Sequence, residues 1–368
     1  MKDLSICSHF GEYNICFVSD GRQAIIEECN GRPAHLLIDK SVWDIHQSTF
    51  FSDTNSLSRK IIVSREKHKT LDTVTSYIKF LLSHKIKKNH CVIVIGGGFA
   101  QDIGSFTTHI LLRGIKWIFF PTTLLSMADS CIGSKSGINV GRYKNQVGAF
   151  HPPGRIYIYT PFLSTLPKWT ILDGNGEIIK HAIIKGGKAF EYLVKNLHRI
   201  QENDVIAQNV IRQSLIIKKE IVEEDEFEKA RRKLLNYGHT FGHALEGYTN
   251  NKISHGISVT IGIDIANFIS MKRGFLTKQE FDRISTLLHR NIPYAKLPVI
   301  NMETYLDFIS HDKKAIGDRV YALLCRGIGK IEIVPINLDK QLHDNLIEYI
   351  ESYSKIRRRA LSSTKLNS

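Results

Sequence analysis

Two histidines four residues apart, His239 and His243, stand in Asn236-Tyr237-Gly238-His239-Thr240-Phe241-Gly242-His243. On a helix that spacing places both imidazoles on one face, where they can share a cation. Zinc proteases built on such a pair carry a glutamate directly after the first histidine. Thr240 stands there instead, which disfavours a metalloprotease. A lone pair of helical histidines is more often structural than metallic. His255 alters that balance, because it lies 12 residues past His243, beyond a turn expected at Asn250-Asn251. A chain reversal there would return a third imidazole to the same place. An oxygen donor is offered by Glu177, which shares a helical face with Lys180 in Gly176-Glu177-Ile178-Ile179-Lys180. A solvated ion pair is the alternative reading, and the apolar residues on both sides weigh against it. One carboxylate with two imidazoles leaves a coordination position open for substrate, whereas closed structural sites use four protein ligands.

Two further features carry chemistry. Gly96-Gly97-Gly98-Phe99-Ala100-Gln101-Asp102 follows a strongly apolar run, so backbone N–H groups there can approach phosphate oxygens at the start of a helix. The glycines do not follow G-x-G-x-x-G, and a tight turn accounts for them nearly as well. A set of cations and polar groups also lies beside small residues: Arg113-Gly114, Asp129-Ser130, Lys135, Lys144-Asn145, then Lys218, Arg232 and Lys313-Lys314. Singly each is an ordinary solvated side chain; together they suit a substrate bearing phosphate and carboxylate.

The elements that must position these residues fall into two halves. Strands are expected at 36–38, 60–63, 91–95, 117–120 and 156–159, with an amphipathic helix over 71–83. Near-continuous apolar strands separated by helices imply a parallel sheet covered on both faces. Beyond Pro167 helical patterns dominate, at 177–197, 205–226, 231–249, 256–272 and 278–288, with a late strand near 330–334 and a last helix near 341–353. We therefore expect an α/β, Rossmann-like domain over 1–165 and a mainly helical domain over 166–368.

The 368 residues include 42% hydrophobic and 23% charged, a globular balance, and no run approaches the length of a membrane span. Cys7, Cys16, Cys29, Cys91, Cys131 and Cys325 form no Cys-x-x-Cys pair, which argues against disulfides and thiolate zinc sites and fits the cytoplasm. The net charge of +14 admits nucleic acid or small anions as partners. No aromatic and basic interleaving suggests base stacking, so nucleic acid and membrane partners are not expected. The dense run Lys355-Ile356-Arg357-Arg358-Arg359 reads as a solvated tail.

From about Asp39 to Lys330 the motifs resemble those of the 3-dehydroquinate synthases among the sugar-phosphate cyclases. The blocks are Glu66-x-x-Lys69, Gly96-Gly97-Gly98 with Asp102, Arg113-Gly114, Pro121-Thr122-Thr123-Leu124-Leu125, Asp129-Ser130, Lys135 and Lys144-Asn145. They continue as Glu177-x-x-Lys180, Lys218, Arg232-x-x-x-Asn236-x-x-His239-x-x-x-His243, His255-Gly256 and His311-Asp312-Lys313-Lys314. The resemblance implies zinc, or cobalt in its place, on Glu177, His239 and His255. It implies an NAD site formed by Asp39, Glu66, Lys69, Gly97, Gly98, Asp102, Thr122, Thr123, Lys135, Lys144, Phe162 and Thr165. Substrate contacts would come from Lys135, Asn145, Lys180, Lys218, Arg232, Asn236, His243 and Lys313 or Lys314, with Asp129 nearby. Arg113 would reach the phosphate held by a second subunit, implying a homodimer. The implied reaction oxidises a ring alcohol, eliminates phosphate, re-reduces the ketone and closes a carbocycle by an aldol step, with no net redox change.

Lys218 and Arg232 favour a carboxylate-bearing substrate, or its amino-sugar variant, over the substrates of inosose- and valiolone-forming relatives. Three positions depart from the usual family text: Ser134 before Lys135, Asn175-Gly176 before Glu177, and Ile257 after His255-Gly256. The rivals are a metal-dependent polyol dehydrogenase, which would release NADH, and an inactive homologue binding nucleic acid through its basic surface.

Overall fold

The computed structural model describes residues 3–52, 54, 56–141, 143–311, 315–316 and 319–362, with the side chains of 315, 316, 360 and 362 left aside. The chain opens with a hairpin, β1 (Leu4–Ser8) and β2 (Gly11–Phe17), then α1 (Gly21–Cys29), β3 (Ala34–Asp39), α2 (Lys40–His46) and β4 (Ser58–Ile62). Next come α3 (Leu71–Ser83), β5 (Cys91–Gly96), α4 (Gly98–Ile110), β6 (Trp117–Pro121), the ribbon β7 (Ile138–Val140) and β8 (Tyr143–Val147), and β9 (Arg155–Ile158). Helices follow: α5 (Lys168–Lys185), α6 (Gly187–Asn196), α7 (Asp204–Glu224), α8 (His239–Tyr248), α9 (His255–Lys272), α10 (Lys278–Asn291) and α11 (Met302–Ser310). β10 (Ala315–Ile316), β11 (Arg319–Cys325) and β12 (Ile331–Asn337) precede the last helix, α12 (Lys340–Ser362).

Two compact units result: residues 1–167 with 201–226, and residues 168–200 with 227–368. The first is built on a seven-stranded sheet ordered β1-β2-β9-β6-β5-β3-β4. It is parallel except for the β1–β2 hairpin at its edge. β3 and β5 are buried at every residue, which is why 36–38 and 91–95 are continuous apolar runs rather than alternating ones, with only His35 and Asp39 polar in β3. From β3 the chain moves outward to β4 and then returns to the other side of β3 as β5. Such a reversal opens a crevice beyond the C-terminal ends of β3 and β5, where α/β sheets bind ligands.

A single cut at 165/166 does not describe this division. α7 groups with the first unit, because its buried face packs on the turn Ser126–Ser130, where Ser214 Oγ donates to the Ala128 carbonyl at 2.9 Å. Helical periodicity reveals that a face is buried but not what covers it. The second unit holds α5, α6, α8 to α12 and the antiparallel sheet β10-β11-β12. Two helices expected to be continuous are broken by glycines in the left-handed region. Gly186 (φ +67°) separates α5 from α6, and Gly238 (φ +80°) separates a 3-10 turn at Arg231–Asn236 from α8. Among the described residues no helix is long and apolar enough to cross a membrane.

Candidate active site

In the second unit, Glu177 from the middle of α5 meets His239 and His255, each the first residue of its helix. Glu177 is 1% exposed, and its Oε1 lies 3.8 Å from His239 Nε2 and 3.5 Å from His255 Nε2. Each ring has its other nitrogen engaged: His239 Nδ1 lies 3.3 Å from the Tyr237 carbonyl, and His255 Nδ1 lies 3.1 Å from Glu246 Oε2. Protonation at Nδ1 leaves both Nε2 lone pairs directed at one carboxylate oxygen. Tetrahedral donors about 2 Å from a zinc ion lie roughly 3.4 Å apart, so the donor types and their separations fit a divalent cation. His243 completes the group, with ring centres 4.9 Å from His239 and 5.4 Å from His255. One ring nitrogen from each of the three histidines lies within 4.8 Å of the other two.

The electrostatics are those of a cation site. Burial and then the Lys180 ammonium hold His239 well below the usual imidazole range, so the ring stays neutral, the form in which an imidazole can hold a metal. Burial also opposes a proton on His255, but the carboxylates of Glu177 and Glu246 outweigh it and push the ring up to about 10. Two carboxylates that retain a proton there would also attract a metal ion competing for the same lone pair. The second Glu177 oxygen is paired with Lys180, itself buried on the same helix.

Close backbone packing brings these donors together. A Cβ on Gly176 would lie 2.1 Å from the Gly256 carbonyl oxygen, and one on Gly256 would lie 1.8 Å from the Asp173 carbonyl oxygen. Only glycines let α5 and α9 cross at that distance. Asp173, one turn before Glu177, accepts the Gly256 N–H at 2.7 Å and the Ile257 N–H at 3.3 Å through its carboxylate. That contact satisfies the open amides at the start of α9 and ties the helix bearing Glu177 to the helix that begins with His255. Gly176 is therefore a contact residue, not a weak point in a helix. Arg232 is buried in the 3-10 turn before α8, and Asn236 donates to Glu228.

The first unit carries the remaining candidates in three groups. At the sheet crevice, Asp39 ends β3 and accepts from Ser41 N at 2.8 Å and from the Ser64 hydroxyl. Gly97 precedes α4 with no side-chain cap, and Thr122 and Thr123 leave β6 beside it, where a Cβ on Gly97 would meet Thr123 Cγ2 at 3.0 Å. Next to them, Lys69 Nζ lies 2.5 Å from Asp102 Oδ2 and donates to Asn145 Oδ1 at 2.7 Å, while the Gly137 N–H donates to Asp102 at 3.1 Å. Glu66 accepts from Asn139 Nδ2 at 2.7 Å on the β7–β8 ribbon that bears Lys144 and Asn145. Lys135, Asp102 and Asn145 line one pocket of about 380 Å³. The third group is Lys218, whose Nζ pairs with Asp129 Oδ1 at 2.9 Å and donates to the Asp129 carbonyl at 2.6 Å.

Not every expected residue joins these groups. Phe162 places its buried ring against Phe50 and His46 (centres 4.9 and 5.1 Å apart), and Thr165 Oγ1 lies 3.2 Å from His46 Nε2. Arg113 is exposed in a left-handed turn whose carbonyl accepts from Lys88 Nζ at 3.2 Å. Lys313 and Lys314 lie outside the described residues. Asp173, Glu226 and Glu246 went unnoticed in the sequence. Glu246 was within reach of the reasoning, since it lies seven residues after His239 and three after His243 on one helical face.

Known proteins resemble the chain along most of its length. The 3-dehydroquinate synthase N-terminal family model matches residues 59–173, and the corresponding C-terminal model matches 174–315. A 3-dehydroquinate synthase from Pelagibacter ubique is 37% identical over 303 residues, covering 80% of this chain and 82% of that relative. Another, from Thermoanaerobacter pseudethanolicus, is 33% identical over 328 residues, covering 88% and 90%. Among solved structures, a 2-deoxy-scyllo-inosose synthase complexed with carbaglucose-6-phosphate, NAD+ and Co2+ superposes with a TM-score of 0.83 at 22% identity, covering 94% of this chain and 99% of that one. A 2-epi-5-epi-valiolone synthase from Streptomyces hygroscopicus with NAD+ and Zn2+ bound gives 0.82 at 24%, covering 92% and 97%. A glycerol dehydrogenase from Schizosaccharomyces pombe shares the fold at a TM-score of 0.63 and 14% identity, covering 95% and 91%.

Proposed function

This chain belongs to the 3-dehydroquinate synthase family, and from that premise we propose that it converts 3-deoxy-D-arabino-heptulosonate 7-phosphate to 3-dehydroquinate and phosphate. The observation that carries the reading is the convergence of Glu177 Oε1 with His239 Nε2 and His255 Nε2. When bound, NAD+ supplies reversible hydride acceptance and a divalent cation, zinc or cobalt, polarises the substrate alcohol. Glu177, His239 and His255 hold the cation, and Asp39, Gly97, Gly98, Asp102, Thr122 and Thr123 belong to the cofactor site.

The chain's own side chains do the rest by binding and placing charge. Arg232 and Asn236 in the second unit suit a substrate carboxylate, as does Lys218 in the first, a use for buried cations that a neutral polyol would not provide. Lys135 and Asn145 bind phosphate from the pocket they share. Lys180 pairs with the Glu177 carboxylate and orients it. His243, beside the ligand histidines, exchanges a proton with the substrate or its phosphate. The reading includes a homodimer in which Arg113 serves the neighbouring subunit. It also places the enzyme in the cytoplasm, supported by six free cysteines.

The test is anaerobic incubation of the purified protein with zinc, NAD+ and the heptulosonate phosphate. We expect phosphate release without accumulation of NADH. Net NADH formation would favour a dehydrogenase, and no phosphate release with metal and NAD+ bound would reject the substrate.

A further inference from the structure

Ser134 adopts a backbone conformation that favours glycine: its φ is +66°, directly after Gly133 at +104°. A side chain there is strained, so some interaction must hold it in place. The Ser134 hydroxyl donates to Glu226 Oε1 at 2.7 Å, and Glu226 is 3% exposed. The same carboxylate accepts from Ser8 Oγ at 2.7 Å, from the His9 N–H at 2.8 Å and engages His9 Nδ1 at 2.9 Å. Burial works against its charge, yet the bonds from Ser134, Ser8 and His9 hold it below the usual carboxylate range. Glu226 lies just past the end of α7, and three residues earlier Glu223 accepts the Cys7 N–H at 2.7 Å. The end of α7 thus grips both the β1–β2 turn and the loop that carries Lys135.

The backbone on either side of Lys135 is held as well. On one side of Lys135 the Ser134 carbonyl accepts the His151 N–H at 2.7 Å, and on the other the Ser136 N–H donates to the Ala149 carbonyl at 2.9 Å. We propose that Glu226 and Ser134 form a latch, and that Ser134 is a positioning residue which fixes the Lys135 loop against its pocket so that Lys135 meets the substrate phosphate. The inference rests on the role given to Lys135 above. It gives the serine between Gly133 and Lys135, a departure from the usual family text, a part in one contact.

Ser134→Gly separates positioning from plain stabilisation, because it relieves the backbone strain while deleting the hydroxyl. Ser134→Ala deletes the hydroxyl alone, and Glu226→Gln alters the acceptor. Amide hydrogen exchange of residues 134–137 and KM for the heptulosonate phosphate are measured in each, alongside the thermal midpoint. The latch predicts that Ser134→Gly keeps a midpoint near that of the wild type. Exchange in the loop and KM should both rise by about tenfold or more, the scale of one hydrogen bond to a charged group, with kcat changed less. Unchanged exchange, or faster exchange with unchanged KM, in folded Ser134→Gly and Ser134→Ala would overturn it. A wild type that releases no phosphate would sink the functional reading instead, and exchange measured on the protein alone would still decide the latch. Should Glu226→Gln fail to fold, the two serine variants carry the test.

Discussion

Glu246 touches the proposed cation site at His255, where its Oε2 lies 3.1 Å from Nδ1. A carboxylate in that position fixes the ring's tautomer and raises the basicity of the other nitrogen. Glu246→Gln keeps the size but loses the charge, and zinc affinity should fall by about 10–100-fold in competition with a chromophoric chelator, the range for outer-shell partners. Unaltered affinity would mean that Glu246 is a surface acid with an accidental neighbour. Individual roles of this kind were only partly legible in the sequence. His239, His243, His255 and Glu177 announced themselves by residue type and spacing. Asp173 and Glu226 did not, because a carboxylate that caps a distant helix or clasps a distant loop has no local signature. The serine at position 134 and the glycine at 176 were visible as departures, but their meaning lay in neighbours far along the chain.

Elements show the same division between what is local and what is not. The helix expected over 71–83 forms as α3 (Leu71–Ser83), begun by Thr70, whose hydroxyl accepts the Thr73 N–H. β3, β5 and β6 follow from apolar runs long enough to be buried on both faces. The β1–β2 hairpin was missed although Leu4 and Ile6, with Tyr13 and Ile15, alternate into the core as a half-buried edge should. The crossing of α5 and α9 makes a prediction that opposes helix propensity. Alanine is favoured over glycine by about 1 kcal/mol in a helix interior. Gly176→Ala should nevertheless lower the thermal midpoint and weaken zinc binding, because the new methyl must displace the Gly256 carbonyl oxygen, 2.1 Å away. A raised midpoint would show that the helices can part without loss.

For the molecule as a whole, buried titratable groups set a direction for acid stability. Burial, with His90 and His84, pulls His35 down to about 4. Its folded value lies below its unfolded one of about 6.5, so its contribution is full above that value and is lost as the pH falls toward 4. Glu226 is also held below its unfolded value, so its contribution is present above the unfolded carboxylate range and lost as the pH drops through the folded one. Denaturant midpoints measured from pH 7 down to 4 should therefore decline, and His35→Gln should flatten the upper part of that decline. A midpoint that rises over the same window would contradict the assignment.

The convergence of Glu177, His239 and His255 supports every other functional statement, and zinc titration of the apoprotein tests it most directly. One equivalent should bind per chain, and both Glu177→Gln and His255→Ala should bind more than about 100-fold weaker, beyond what outer-shell changes produce. Folded variants that retain the affinity of the wild type would contradict the account.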